Sequence, residues 1–89
     1  MRTITNIYPT RNFVKAFNSL AKDVKALAAK KDELFKANPH DPRLKTHSLK
    51  GNLDGYWAYS VNHQYRILFK FINHDEVIYF NIGTHEIYR

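Results

Sequence analysis

Three closely spaced runs constrain what this chain can fold into. Residues 56–61, 65–72 and 77–82 are rich in aromatic and β-branched side chains, and only Asn62-His63-Gln64 and Asn73-His74-Asp75-Glu76 separate them. Such residues suit a pleated, half-buried surface, and polar breaks this short predict an antiparallel meander. Register follows from the need for one buried face, because a slip of one residue turns every side chain over. A turn at Asn62 to Gln64 sets Tyr59 opposite Ile67 and Trp57 opposite Phe69. A turn at Asn73 to Glu76 sets Phe71 opposite Ile78, Phe69 opposite Phe80 and Ile67 opposite Ile82. The expected core face then gathers Trp57, Tyr59, Val61, Tyr65, Ile67, Phe69 and Phe71, extended by Ile78, Phe80 and Ile82.

The opposite face mixes cations, hydroxyls and rings: Tyr56, Ala58, Ser60, Arg66, Leu68, Lys70, Tyr79 and Asn81. Arg66 lies opposite Gly83 in this register, which makes His85 a diagonal neighbour at about 7–8 Å between backbones, so that both side chains can converge on one phosphate. Gly83 either leaves room for a ligand's backbone to come close or simply ends the strand.

Upstream the period changes. Ile4, Ile7 and Tyr8 form a short β-like segment closed by Pro9, and Thr10 is a candidate helix N-cap. Over residues 11–35, Phe13, Phe17, Leu20, Val24, Leu27 and Leu34 recur at helical spacing, which predicts an amphipathic helix or a helical hairpin. Its polar side carries Lys15, Lys22, Lys25, Lys30, Lys31 and Lys36, either a solvated face or a phosphate-tracking one. Asn38-Pro39-His40-Asp41-Pro42 ends the helix, since a residue before proline is pushed out of the helical region.

With 89 residues and 44% apolar content, residues 1–89 are expected to make a single small domain, burying roughly 60–65% of the unfolded surface. A net charge of +6 favours a polyanionic or acidic partner. The absence of cysteine excludes disulfides, thiolate metal sites and thiol nucleophiles. Five histidines without a thiol or an i, i+4 pair suggest no metal site. The N-terminal stretch lacks the apolar run of a signal peptide and no window is apolar enough to span a bilayer, so a soluble cytoplasmic protein without a membrane partner is expected.

The ordered set Thr46-His47-Ser48-Leu49-Lys50-Gly51, Tyr65-Arg66 and Gly83-Thr84-His85, behind a β segment, a basic helical hairpin and an Asn-Pro loop, resembles the RelE/ParE toxin superfamily of type II toxin–antitoxin systems. Within it the YafQ-like and RelE-like mRNA interferases are most similar. The resemblance implies an α+β microbial RNase-like fold of order β-α-α-β-β-β, with a helical hairpin packed on one face of an antiparallel twisted sheet and a break in the helical region near Ser19 to Lys22. It also implies a cognate antitoxin, mRNA and ribosomal RNA as partners, hetero-oligomers built on dimeric antitoxins, and no cofactor.

By the same resemblance, His47 matches a loop histidine used in acid–base catalysis, Arg66 an arginine acting on the scissile phosphate, and His85 the catalytic position beyond the glycine. Ser60 and Gln64 stand where YafQ-like enzymes carry a further histidine and an aspartate. Tyr88 lies one residue nearer the histidine than the family's C-terminal aromatic, so either a local adjustment brings it to the site or that role is vacant. The implied chemistry is metal-free RNA cleavage by the RNA's own 2′-hydroxyl, with His47 as base, His85 as acid, Arg66 on the non-bridging oxygens and Tyr88 beside them. The reverse assignment of the histidines satisfies the same chemistry. Lys45, Lys50 and Lys70 would hold flanking phosphates, and Tyr56 or Tyr79 would stack on an unpaired base. A ParE-like toxin that inhibits DNA gyrase without catalysis, and a degenerate member that only binds its antitoxin, remain the alternatives.

Overall fold

The computed structural model describes residues 2–88. In chain order it comprises β1 (Asn6–Pro9), α1 (Arg11–Asn18), α2 (Lys22–Ala37), β2 (His47–Ser48), β3 (Trp57–Ser60), β4 (Arg66–Phe71) and β5 (Glu76–Gly83), closed by a 3₁₀ turn at His85–Tyr88. The sheet order is β1-β5-β4-β3-β2. The meander β3-β4-β5 is antiparallel, as its short turns require, while β1 joins β5 in parallel and makes the sheet mixed. No helix of the described residues is long and apolar enough to cross a membrane.

The helical region is a hairpin. Thr10 has extended backbone and its hydroxyl accepts the Phe13 N–H at 3.1 Å, so α1 starts with one of its orphan donors satisfied. The chain breaks between Asn18 and Lys22, where the Ser19 hydroxyl donates to the Ala16 carbonyl at 2.7 Å and competes with helix continuation. At the far end of α2 the residue before Pro39 is extended, and the Asn38 side chain accepts the His40 N–H at 3.0 Å. The break sits where the family resemblance implies it.

The hairpin's apolar side meets one face of the sheet around Phe35, which is 0% exposed. Its ring stacks on Tyr59 at 4.7 Å and meets the edge of Phe69 at 4.8 Å between centroids. Ile4, Ala28, Leu44, Tyr59, Val61, Ile67, Phe69, Val77, Tyr79 and Ile82 complete this buried cluster, with Trp57, Tyr65 and Phe71 partly buried against it.

The β3–β4 register is the expected one, with Trp57 opposite Phe69 and Tyr59 opposite Ile67. Between β4 and β5 the expected register holds only at the open end, where Ile67 faces Ile82 and Arg66 faces Gly83. Beyond Leu68, which faces Asn81, the pairing shifts so that Phe69 meets Tyr79 and Phe71 meets Val77. The turn is tighter than expected: the Ile72 N–H already donates to the Glu76 carbonyl at 2.9 Å, and the Asn73 side chain accepts the Asp75 N–H at 3.1 Å. A hairpin closed that early has one residue too many, and the sheet absorbs it as a bulge at Phe80. Tyr79 is therefore a core residue, 4% exposed, and not the base-stacking ring on the outer face that simple alternation predicts. Phe80 moves the other way and packs its ring on Tyr56 at 5.1 Å. Ile78 likewise joins the outer face, opposite Lys70.

Two sets of hydrogen bonds hold the bulge. The Phe80 carbonyl accepts from the Thr10 hydroxyl at 3.2 Å and the Asn12 amide at 3.0 Å, while the Thr10 N–H donates to the Tyr79 carbonyl at 3.0 Å. On the core side the Tyr79 hydroxyl donates to the Asp32 carboxylate at 2.7 Å and lies 2.8 Å from the Tyr59 hydroxyl. Asp32 accepts, so Tyr59 donates to Tyr79. Burial raises both phenol pKa values, keeping the two rings neutral. Replacing Tyr79 by Phe strands the Tyr59 hydroxyl and removes a donor from Asp32, so urea unfolding of Tyr79→Phe is expected to show a loss of about 1–3 kcal/mol at unchanged m-value. A change below about 0.5 kcal/mol would mean that water already satisfies the pair.

Candidate functional site

The outer face of the sheet is not open along its whole length. Ala58 and Leu68, placed there by alternation, are 0% and 6% exposed. Polar side chains with chemical potential collect toward the sheet's end, where β3 and β4 carry Ser60 opposite Arg66 and β5 terminates at Gly83.

His47 reaches this face through β2, whose pairing puts it directly opposite Ala58. Its Nδ1 lies 2.9 Å from the Lys45 carbonyl oxygen. A carbonyl only accepts, so Nδ1 carries the hydrogen and the neutral ring presents the Nε2 lone pair. The imidazole is exposed. Lys45 holds that carbonyl from a left-handed conformation, φ 53°, and is the one non-glycine residue with positive φ among the described residues. Such a conformation costs a residue with a Cβ roughly 1–2 kcal/mol.

Arg66 is half-buried and its Nη1 donates to the His63 carbonyl at 3.3 Å, which leaves most of the guanidinium fork unengaged by that bond. Two strand spacings and two residues separate its backbone from that of His47, about 12 Å, a gap that two side chains and one phosphodiester can span.

His85 departs from the expected geometry. The strand ends at Gly83, so His85 opens the 3₁₀ turn instead of extending the ladder as a diagonal neighbour of Arg66. Gly83 departs from it too: a Cβ there would stand 2.7 Å from Ile87 Cγ2, so the chain's own C-terminal turn fills the space that a ligand backbone was expected to use. The turn brings Tyr88 back, with its ring edge-on to His85 at 5.7 Å. The Tyr88 hydroxyl is buried with no hydrogen-bond partner among the described residues. Burial raises its pKa and the Arg66 charge opposes that rise, which ties Tyr88 to the neighbourhood of Arg66 as well as to His85.

The remaining expected positions divide. Lys45 and Lys50 flank His47 on the exposed loop. Lys70 lies farther along the face with its ammonium 4.9 Å above the Tyr56 ring, a cation–π contact that orders both. Tyr79 is withdrawn into the core. Ser60 faces Arg66, and Gln64 sits in the β3–β4 turn with its N–H on the Asn62 side chain. Lys31, expected only as one lysine of the helical polar side, and Arg43, not expected at all, meet Lys45 and Arg66 around a cleft of about 360 Å³. Only the helical period hints at Lys31, and nothing local marks Arg43. Among the described residues no group of three or more His, Cys, Asp or Glu side chains could hold a metal ion.

Comparison with known proteins places this arrangement in context. The profile of a family described as RelE-like toxin of type II toxin–antitoxin system HigB matches residues 12–85. Endoribonuclease HigB of Proteus vulgaris is 50% identical over 34 residues, which is 38% of this chain and 37% of that protein, so the similarity spans little more than a third of the relative. The YoeB/ParE toxin from Agrobacterium tumefaciens superposes with a TM-score of 0.76 at 14% identity, over 91% of this chain and 99% of that one. The E. coli DinJ–YafQ toxin–antitoxin complex gives a TM-score of 0.70 at 20% identity, over 91% and 92%. At those identities the structural likeness is one of fold.

Gly83 provides a test of how the C-terminal turn is held. Gly83→Ala is expected to displace Ile87 and, with it, the edge-on contact of His85 and Tyr88, seen as shifted ring resonances of both residues in an otherwise unchanged NMR spectrum. Gly83→Ala/Ile87→Ala should restore them. Unmoved resonances in the single variant would show that the turn does not depend on the missing Cβ.

Proposed function

This chain belongs to the HigB-like family of RelE-type toxins of type II toxin–antitoxin systems, and we propose that it is a metal-independent endoribonuclease that cuts mRNA by attack of the RNA's own 2′-hydroxyl. The observation that carries the reading is the Nδ1 hydrogen bond of His47 to the Lys45 carbonyl, which presents a basic Nε2 on the face shared with Arg66. The likeness to a curated endoribonuclease over 34 residues supports it.

His47 Nε2 takes the 2′-hydroxyl proton as the oxygen attacks phosphorus. Charge grows on the non-bridging oxygens, where the free part of the Arg66 fork hydrogen-bonds more strongly than in the ground state. The bond from phosphorus to the 5′-oxygen breaks, and His85 gives the leaving oxygen its proton. The products are a 2′,3′-cyclic phosphate and a 5′-hydroxyl. Tyr88 packs on the His85 ring and restricts its orientation. Each histidine is expected to contribute about 10²–10⁴-fold, the ordinary range for a positioned general acid or base. Lys50, Lys70 and Tyr56 line the approaches to this centre and suit flanking phosphates and an unpaired base.

The net charge of +6 suits ribosomal RNA as the platform on which mRNA is presented. A cognate antitoxin is the protein partner, as the solved DinJ–YafQ toxin–antitoxin complex supports by analogy of fold.

Primer extension on ribosome-bound mRNA tests the proposal. Wild type is expected to cut at defined positions, His47→Ala and His85→Ala to lose about 10²–10⁴-fold in rate, and Arg66→Ala to lose at least about 10²-fold. A folded wild type that cuts nothing overturns the proposal and turns attention to gyrase supercoiling.

A further inference from the structure

The cleft beside the sheet's end is not needed for proton transfer, yet its chemistry is pronounced. Lys31 enters from α2, Arg43 and Lys45 from the loop that follows, and Arg66 from β4, around a volume of about 360 Å³. Ser60 and Asn62 add polar groups from the β3–β4 end, and no carboxylate among the described residues lines it. Leu27 and Val61 supply an apolar part of the wall.

Arg43 is held in place. Asp41 accepts from its Nε at 3.0 Å and from Nη2 at 2.8 Å, a two-pronged pair that leaves the other guanidinium hydrogens for a ligand. The hydrogen bonds from Arg43, with the Lys31 charge adding to them, lower the Asp41 carboxyl pKa to about 2. The cleft is also coupled to the catalytic residues through shared members. Lys45 lines the cleft and lends its carbonyl to His47, and Arg66 belongs to both.

We propose that this cleft is a nucleotide subsite, in which Lys31 and Arg43 hold the phosphate next to the one being cut and thereby set the register of single-stranded RNA across His47 and Arg66. The inference rests on the nuclease reading for its ligand. A volume of this size falls within the range of small-ligand sites, and the mixed wall suits a sugar and base edge beside a phosphate better than it suits an acidic peptide side chain alone. Lys31 and Arg43 are positioning residues: they act on the chain of the substrate and leave the proton transfers to the histidines.

The test uses the full chain and a 2′-O-methyl RNA hexanucleotide, which cannot be cut, with binding followed by fluorescence anisotropy across a salt series. Lys31→Ala/Arg43→Ala is expected to weaken binding about tenfold and to flatten the slope of log affinity against log salt by about 0.7 for each phosphate released from a cation. Lys31→Arg/Arg43→Lys should restore most of the affinity. Lys22→Ala/Lys30→Ala removes the same charge from exposed parts of α2 and should stay within about twofold of wild type. Equal weakening by the two alanine pairs would mean diffuse attraction and overturn the subsite. Displacement of the RNA by poly-glutamate of equal charge at equal concentration would do the same and point to an acidic protein as the occupant.

Cleavage kinetics on the same variants separate this inference from the function it rests on. The subsite predicts a raised KM with kcat little changed for Lys31→Ala/Arg43→Ala. An unchanged KM in an active enzyme refutes the subsite and leaves the nuclease standing. Cleft-dependent binding by a wild type that cuts nothing leaves an RNA-binding cleft but refutes both the nuclease and the register-setting role.

Discussion

The bond from the Tyr79 hydroxyl to Asp32 governs more of this molecule than its single hydrogen suggests. A tyrosine ring turned into the core must pair its hydroxyl, and the partner here is a carboxylate on α2 whose other oxygen binds Lys36 at 3.2 Å. With Tyr79 committed inward, β5 must insert one residue before Ile82 also faces inward, and Phe80 is that residue. The bulge then determines which side chains the last strand presents outward, down to Gly83 opposite Arg66. Thr10 and Asn12 complete the arrangement by donating to the bulge carbonyl, so the start of α1 and the register of β5 belong to one hydrogen-bonded unit.

Electrostatics divide the surface in a way that suits a polyanion. Lys36 answers Asp32 and Glu33 on the last turns of α2, at 3.2 and 3.5 Å. Exposed ion pairs of this kind contribute little to stability, but they gather local acidity at that end of the helix. Asp41 likewise commits its charge to Arg43. Lys31, Lys45 and Arg66 form no ion pair among the described residues and share one cleft, and Lys45 also sets the tautomer of the His47 imidazole through its carbonyl. Preorganisation of this kind costs stability locally, as the left-handed Lys45 shows, and such strain is tolerated where the surrounding structure determines it.

Much of the fold is legible in the sequence because it follows from local periods and turn chemistry. The β3–β4 register comes from alternation, the start of α1 from Thr10, and the end of the helical region from the Asn-Pro loop. The break after Asn18 comes only from family resemblance, since the apolar period runs through it. The half of β5 near the turn escapes such reasoning because a bulge leaves no mark on a period of two: Tyr79, Ile78 and Phe80 are all acceptable on either face, and the choice lies with Asp32, far away in sequence. Gly83 suggests an opening toward a ligand because its true neighbour, Ile87, reaches it by a turn that strand logic continues straight through. Arg66 can be placed on the outer face from pairing alone, but His47, expected in a loop, joins that face only through the short strand β2, and the Lys31–Arg43 cleft depends on how α2 and the following loop pack around the sheet's end.

The most direct test of the account is the identity of the RNA ends left after cleavage. Attack by the 2′-hydroxyl under His47, Arg66 and His85 predicts a 2′,3′-cyclic phosphate on one fragment and a 5′-hydroxyl on the other. A 5′-phosphate with a 3′-hydroxyl would contradict it, because that outcome cannot come from two histidines and an arginine acting on the RNA's own oxygen.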